Sequence, residues 1–173
     1  MAIERVGVIG GGLMGSGIAE VCARAGSDVL VHEIGPEAAE AALARVERSL
    51  ARAVERGKLT GEEGHQIVSR ITISTDLADQ ADRQLVIEAA TENERLKNEI
   101  FGDLDEVVTD DQAIFASNTS SIPITRLAAA TSRPGNVVGL HFFNPVPVMA
   151  LVELVTTVKT AETTVSRARD YAI

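Results

Sequence analysis

Arg5-Val6-Gly7-Val8-Ile9-Gly10-Gly11-Gly12-Leu13-Met14-Gly15-Ser16-Gly17-Ile18-Ala19 joins three local structures in fifteen residues. Val6 to Ile9 is apolar enough for a buried strand, Gly10 to Gly12 makes a glycine turn, and small and apolar residues from Leu13 onward suit a helix. Gly10, Gly12 and Gly15 stand in the G-x-G-x-x-G pattern that, between a strand and a helix, cradles the pyrophosphate of a dinucleotide. The first glycine permits the tight turn, the second leaves no Cβ between the backbone and the phosphates, and the third lets the helix lie close to its strand. The free N–H groups and the dipole of the helix N-terminus attract the anion. A glycine-rich turn alone is weak evidence of a ligand, but a second element supports it. Asp28-Val29-Leu30-Val31-His32-Glu33 is an apolar strand ending in a carboxylate at about the separation where the motif carries a ribose-binding acid. Together they predict a dinucleotide site on Gly10, Gly11, Gly12, Leu13, Met14, Gly15 and Glu33.

The 173 residues suffice for one domain with a substantial core, and an apolar content of 45% is that of a folded chain. A net charge of −9 argues against a general nucleic-acid binder, which needs a basic face, but leaves room for a phosphorylated ligand met by a local positive cluster. The one cysteine, Cys22, has no partner for an internal disulfide and falls among Ala19, Val21 and Ala23, where it reads as a buried structural thiol in a reducing compartment. No apolar run approaches the roughly eighteen residues of a membrane span, and the N-terminal apolar patch is too short and glycine-rich for a signal peptide. A cytoplasmic protein without membrane contact is the expectation.

Strands and helices alternate, which implies a parallel sheet with helices on its faces. The pattern predicts a strand near Ile3–Ile9, a helix near Leu13–Ala25, a strand to Glu33, and an alanine-rich helix from Pro36 to Arg56 with Leu43, Val46, Leu50 and Val54 at helical spacing. Thr60-Gly61-Glu62-Glu63 resembles a capping box opening a helix to about Ser69. This helical hairpin exceeds what a crossover needs and is expected to project beyond the sheet. Strands at Ile71–Ser74, Gln84–Ala89 and Ala113–Ser117 follow, with a charged helix over Glu92–Val108 placing Leu96, Ile100 and Leu104 on one face, and a short helix after Pro123. Asn136–Phe143 and Ala150–Thr157 are strands joined across Asn144-Pro145-Val146-Pro147, a connection short enough only for an antiparallel pair. A last helix starts near Ala161 and reaches Ile173 without a stop signal, so the chain reads as unfinished.

Three segments carry a resemblance. Val6–Gly17, Ala116-Ser117-Asn118-Thr119-Ser120-Ser121, and Gly139-Leu140-His141-Phe142-Phe143-Asn144-Pro145-Val146-Pro147-Val148-Met149 with Leu151-Val152-Glu153 are similar to the 3-hydroxyacyl-CoA dehydrogenase family, most of all its stand-alone short-chain, 3-hydroxybutyryl-CoA type. The likeness covers essentially the whole chain, and the eleven residues Gly139–Met149 are its most specific part. The resemblance implies a Rossmann-type, doubly wound α/β domain with NAD as cofactor, an acyl-CoA substrate, and interconversion of (S)-3-hydroxyacyl-CoA and 3-oxoacyl-CoA in fatty-acid metabolism. It also implies a C-terminal helical domain that closes over the substrate and forms a homodimer, so these residues read as the cofactor domain alone.

By the same resemblance His141 is the catalytic base, since oxidising a secondary alcohol by hydride transfer requires removal of its hydroxyl proton. Glu153, twelve residues on, is its partner carboxylate, fixing the tautomer and stabilising the imidazolium. Ser120 hydrogen-bonds the substrate's 3-hydroxyl, and Asn144 stands near the nicotinamide end. Asn118, Ser120, Asn144, Glu92 and Lys97 match cofactor-contacting positions, although an i,i+5 pair on a charged helix taken alone reads as solvated surface. Ser49 and Arg56 fall where the family touches CoA; the family carries lysine at the second position, and here Arg56 stands there with Lys58 nearby. His32 and His65 read as strand-edge or surface residues, and one cysteine with three scattered histidines supports no metal centre. Two alternatives stay open: a different hydroxyacid dehydrogenase of the same fold, and a non-catalytic NAD-binding or structural protein, since folds do not fix function.

Overall fold

In the computed structural model, which describes residues 2–173, the apolar runs form the strands of a single sheet. In chain order the elements are β1 (Arg5–Ile9), α1 (Leu13–Arg24), β2 (Asp28–His32), α2 (Pro36–Glu55), α3 (Gly61–Ser69), β3 (Ile71–Ser74), β4 (Leu85–Glu88), α4 (Glu94–Val107), β5 (Ile114–Ser117), α5 (Ile124–Ala128), β6 (Val137–Phe142), β7 (Val152–Val155) and α6 (Glu162–Ala172). β4 and β5 are buried at every residue, as befits central strands covered by helices on both faces. β7, at the sheet edge, alternates between half-buried and exposed positions.

The strand order is β3-β2-β1-β4-β5-β6-β7, parallel throughout except for the antiparallel pair β6–β7. The chain runs outward from β1 through β2 to β3, then returns to lay β4 on the other side of β1. Connections therefore leave β1 and β4 in opposite directions, and a crevice opens at their carboxyl ends, where doubly wound sheets bind ligands.

Two apolar layers hold the sheet. On one face Ile18, Ala19 and Cys22 of α1, Val46 and Leu50 of α2, Ile67 of α3 and Ala168 of α6 pack on Val6, Val8, Val29 and Ile87. On the other, Phe101 and Leu104 of α4 and Leu127 of α5 pack on Val86, Phe115 and Val137, with the Phe101 and Phe115 rings edge to face at 6.4 Å. The helical hairpin thus contributes an inner stripe to the core, while residues 51–60 are exposed or half-exposed. The predicted capping box is present: the Glu63 N–H donates to Thr60 Oγ1 at 3.2 Å and the Thr60 N–H to Glu63 Oε2 at 2.7 Å.

The structure departs from the sequence reading around α4. The helix starts at Glu94 rather than Glu92, because the Asn93 side chain accepts the Leu96 N–H at 3.0 Å and caps it. Its buried face is Lys97, Phe101 and Leu104 rather than Leu96, Ile100 and Leu104. The stripe turns because Lys97 finds a buried carboxylate partner, which leaves Leu96 38% exposed. β1 begins at Arg5 and β7 covers only Val152–Val155, both shorter than the predicted Ile3–Ile9 and Ala150–Thr157.

Candidate active site

The glycine turn follows β1 into the crevice. Gly10 has φ +91°, a left-handed conformation that suits glycine, and its N–H donates to His32 O at 2.9 Å. Gly15 touches the turn so closely that a Cβ there would lie 1.7 Å from Gly10 O. Gly12, the N-cap of α1, is different: nothing lies within 4 Å of where its Cβ would be. No side chain caps α1, and its first turn carries no acidic residue. This open, uncapped helix N-terminus has the space and the free donors that a pyrophosphate requires. Glu33, just past β2, ties the turn down by accepting the Gly11 N–H on Oε1 at 2.6 Å, while Oε2 takes the Ile34 N–H at 3.2 Å. A cavity of about 370 Å³ lies on this side, bordered by Gly10, Gly12, His32, Glu33 and Ile34. Burial lowers the pKa of His32 below the usual histidine value, against the opposing pull of Glu33, Asp76 and Asp79.

On the other side of the turn a cavity of about 410 Å³ brings together Met14, Glu92, Lys97, Asn118, Ser120, His141 and Asn144. These residues come from the starts of α1 and α4, from the end of β6, and from the segments that follow β4, β5 and β6. His141 on β6 is the register partner of Glu153 on β7, and their side chains meet with Nδ1 2.8 Å from Oε2. A carboxylate can only accept, so this bond puts the proton on Nδ1 and leaves the Nε2 lone pair free. The Phe143 ring packs edge-on against the imidazole, with centroids 4.7 Å apart. Asn118 Oδ1 accepts the Phe142 N–H at 2.9 Å and so holds the segment after β5 against β6. Val146 is buried against α1 at Gly17 and anchors the loop that carries Asn144.

Lys97 is not solvated surface. It is 1% exposed, with Nζ 2.6 Å from Glu88 Oε1, 3.3 Å from Ala90 O and 3.5 Å from Glu92 Oε2. Removing one partner of such a buried pair costs about 3–5 kcal/mol, because the other charge is left uncompensated. Glu92 lies outside the helix, where its Oε1 accepts the Thr119 and Ser121 hydroxyls. Burial raises the Glu92 carboxyl, but those two hydroxyls and the Lys97 ammonium together hold it below the usual carboxylate range. The sequence reading missed Glu88. Its one signal there is a lone acid ending the apolar run Leu85-Val86-Ile87.

A third cavity, of about 340 Å³, runs between α1, α2 and the Asn144–Pro147 loop. Ser49 lines it, joined by Arg45, Arg48 and Arg52, which the sequence reading did not single out despite their i, i+3, i+7 spacing. Arg45 also reaches back to Gly11 O at 3.2 Å. Arg56, expected beside Ser49, does not line this cavity; it is the exposed C-cap residue of α2, two helical turns further on.

Residues 5–173 match the family described as 3-hydroxyacyl-CoA dehydrogenase, NAD binding domain. Over 171 residues the chain is 56% identical to a 3-hydroxybutyryl-CoA dehydrogenase of Mycobacterium tuberculosis (strain H37Rv), covering 99% of this chain and 60% of the relative. A probable 3-hydroxybutyryl-CoA dehydrogenase of Bacillus subtilis (strain 168) is 48% identical over 164 residues, covering 95% and 57%. Among solved structures, M. tuberculosis FadB2 superposes with a TM-score of 0.98 at 55% identity, covering 99% of this chain and 60% of that one. The (S)-3-hydroxybutyryl-CoA dehydrogenase of Ralstonia eutropha does so with a TM-score of 0.96 at 44% identity, with the same coverage of 99% and 60%. The chain therefore spans about 60% of the length of these relatives. On the family match and these identities, the chain belongs to the 3-hydroxyacyl-CoA dehydrogenase family, with residues 5–173 matching its NAD binding domain.

Proposed function

We propose that this chain is the cofactor-binding part of an NAD-dependent (S)-3-hydroxyacyl-CoA dehydrogenase that interconverts 3-hydroxybutyryl-CoA and acetoacetyl-CoA. The observation that carries the reading is the 2.8 Å contact between His141 Nδ1 and Glu153 Oε2 beside a cavity that Ser120 and Asn144 also line. NAD fits the crevice, with the Gly10–Gly15 turn and Glu33 toward its adenosine half and Asn118, Ser120, Asn144, Glu92 and Lys97 around the other half. When bound it supplies the hydride acceptor for alcohol oxidation. The chain's own residues handle the proton and the alignment. His141 Nε2 takes the 3-hydroxyl proton, Glu153 keeps the Nδ1–H in place and balances the imidazolium, and Ser120 donates a hydrogen bond to the substrate's 3-oxygen. Asn144 orients the reacting groups from the opposite rim.

The acyl-CoA phosphates belong in the cavity beside Ser49, where Arg45, Arg48 and Arg52 supply positive charge to a chain of net charge −9. Arg56 contributes from the outer end of the same helix. A further helical domain closes over the substrate; the exposed apolar residues Val148, Met149 and Leu151, around a groove reaching Ile173, support such a cover. The same reading carries with it a cytoplasmic enzyme of fatty-acid β-oxidation, homodimeric when complete. Among the described residues no helix is long and apolar enough to cross a membrane.

The test is His141→Gln in the complete enzyme. Oxidation should slow by at least about a hundredfold, the low end for lost acid–base catalysis, with NADH affinity unchanged. A folded His141→Gln enzyme that binds NADH and turns over at the normal rate would end the proposal.

A further inference from the structure

Glu88 ends β4 between the two strands whose tips bound the crevice and its neighbour, with Ile9 of β1 and Ser117 of β5 as register partners. It is fully buried. Its Oε1 accepts from Lys97 Nζ at 2.6 Å and from the Ala90 N–H at 2.7 Å, and its Oε2 from Ser117 Oγ at 2.6 Å. Ser117 Oγ in turn accepts the Thr119 N–H at 3.2 Å. The Lys97 ammonium and the Ala90 N–H can only donate, and the Ser117 hydroxyl donates to the remaining oxygen, so the Glu88 carboxylate accepts from all three.

These bonds converge on the two segments that wall the His141 cavity. Residues 89–92 are held through the Ala90 N–H and, by way of Lys97, through Ala90 O and Glu92. Residues 117–121 are held through Ser117 and, by way of Glu92, through Thr119 and Ser121. Between them Asn118 grips the Phe142 N–H, one residue from His141. A buried ion pair is a poor source of net stability, and two apolar side chains of similar volume would fill the space as well.

We propose that Glu88, with Lys97 as its counter-ion, is a positioning residue for the cavity that holds His141. It sets the spacing of the segments after β4 and β5 and, through Asn118, the end of β6. Lys97, which also lines the cavity, joins this positioning through Glu88, since its ammonium faces Glu88, Ala90 O and Glu92. The inference rests on the reading of this cavity as the nicotinamide side.

The experiment compares the chain with two variants: Ser117→Ala, and the double variant Glu88→Leu/Lys97→Met. Each is followed by thermal unfolding, NADH fluorescence titration and the amide NMR resonance of Phe142. The double variant should melt within a few degrees of the parent, bind NADH at least about tenfold more weakly and show a displaced Phe142 amide. A merely structural pair would instead recover stability, affinity and resonance together, which overturns the proposal. Should the double variant fail to fold, Ser117→Ala decides, because it keeps the ion pair. A displaced Phe142 amide supports the positioning role there, and an unmoved one refutes it. Failure of the cofactor reading looks different: the parent itself would bind no NADH, while the Phe142 amide would still report on Glu88.

Discussion

Alanine placed at Gly15 and at Gly12 should separate folding from ligand binding within one turn of chain. At Gly15 the new Cβ would lie 1.7 Å from Gly10 O and 2.9 Å from Gly10 C, where ordinary contact begins near 3.4 Å. The obstacle is backbone, so α1 and the turn must part by well over an ångström. Overpacking of this kind costs about 3 kcal/mol, the upper end of its usual range. Alanine's better helix propensity returns about 1 kcal/mol. The net loss of about 2 kcal/mol lowers Tm by about 4–8 °C for a chain of this size. At Gly12 the methyl meets no atom within 4 Å, and the φ of −63° suits any residue. The weaker N-cap and the stiffer unfolded chain offset one another to within about 0.5 kcal/mol, so Tm should hold. The methyl does, however, occupy the side from which an anion reaches the helix N–H groups. Losing one hydrogen bond to an ionised oxygen costs about 1.5–3 kcal/mol, or about tenfold to a hundredfold in NADH affinity. Differential scanning fluorimetry and NADH fluorescence titration measure the two effects independently. A Gly12→Ala chain with undiminished NADH affinity, or a Gly15→Ala chain melting with the parent, would refute the reasoning.

Glu33 should favour NAD(H) over NADP(H), since its carboxylate repels a 2′-phosphate; Glu33→Ser should narrow that preference by about tenfold, and equal affinities in the parent would contradict it. The Glu92 carboxyl, lowered on balance in the folded chain, contributes stability that is complete above the ordinary value near 4.5 and is lost as pH falls through the lower folded value. Glu92→Gln should therefore be destabilising at about pH 6, with a penalty that shrinks as pH falls below the ordinary carboxylate value; a penalty that grows on acidification contradicts this. Cys22 is pushed up to about 11 by burial, only partly relieved by Tyr171, so thiol reagents at about pH 8 should label it no faster than the chain unfolds. Rapid labelling of the native chain would show the site to be open.

Local signals carried the sequence reading of the fold. Apolar runs bounded by glycine, proline and capping residues are short-range, and every predicted strand and helix is present with ends shifted by a few residues. Around α4 the same method misjudged the buried face, because Lys97 owes its position to Glu88, nine residues away on another element. Hydrophobic spacing counts a lysine as solvent-facing and has no way to see a carboxylate waiting at a strand end. Arg45, Arg48 and Arg52 escaped notice for the opposite reason: their spacing was visible, but only the packing of α2 against α1 and the Asn144–Pro147 loop makes it a cavity wall. His141 and Glu153 were nominated by resemblance, and it is the β6–β7 ladder that puts them side by side.

That ladder has a consequence for how the chain tolerates change. His141 faces Glu153, with Leu140 opposite Leu154 and Phe142 opposite Val152 on either side. Side chains alternate faces along a strand, so a slip of one residue would turn the carboxylate away and set an aliphatic residue against the imidazole. The backbone hydrogen bonds, the packing of these neighbours and the connecting loop, anchored by the buried Val146, together hold the register. Residues 143–151 are bound into that register as well, since Phe143 packs on the imidazole and Val146 on α1, so a residue gained or lost there would pull on the pair held at 2.8 Å. Pair and loop thus form one unit, whose side chains at the exposed positions 148, 149 and 151 can drift while its length cannot.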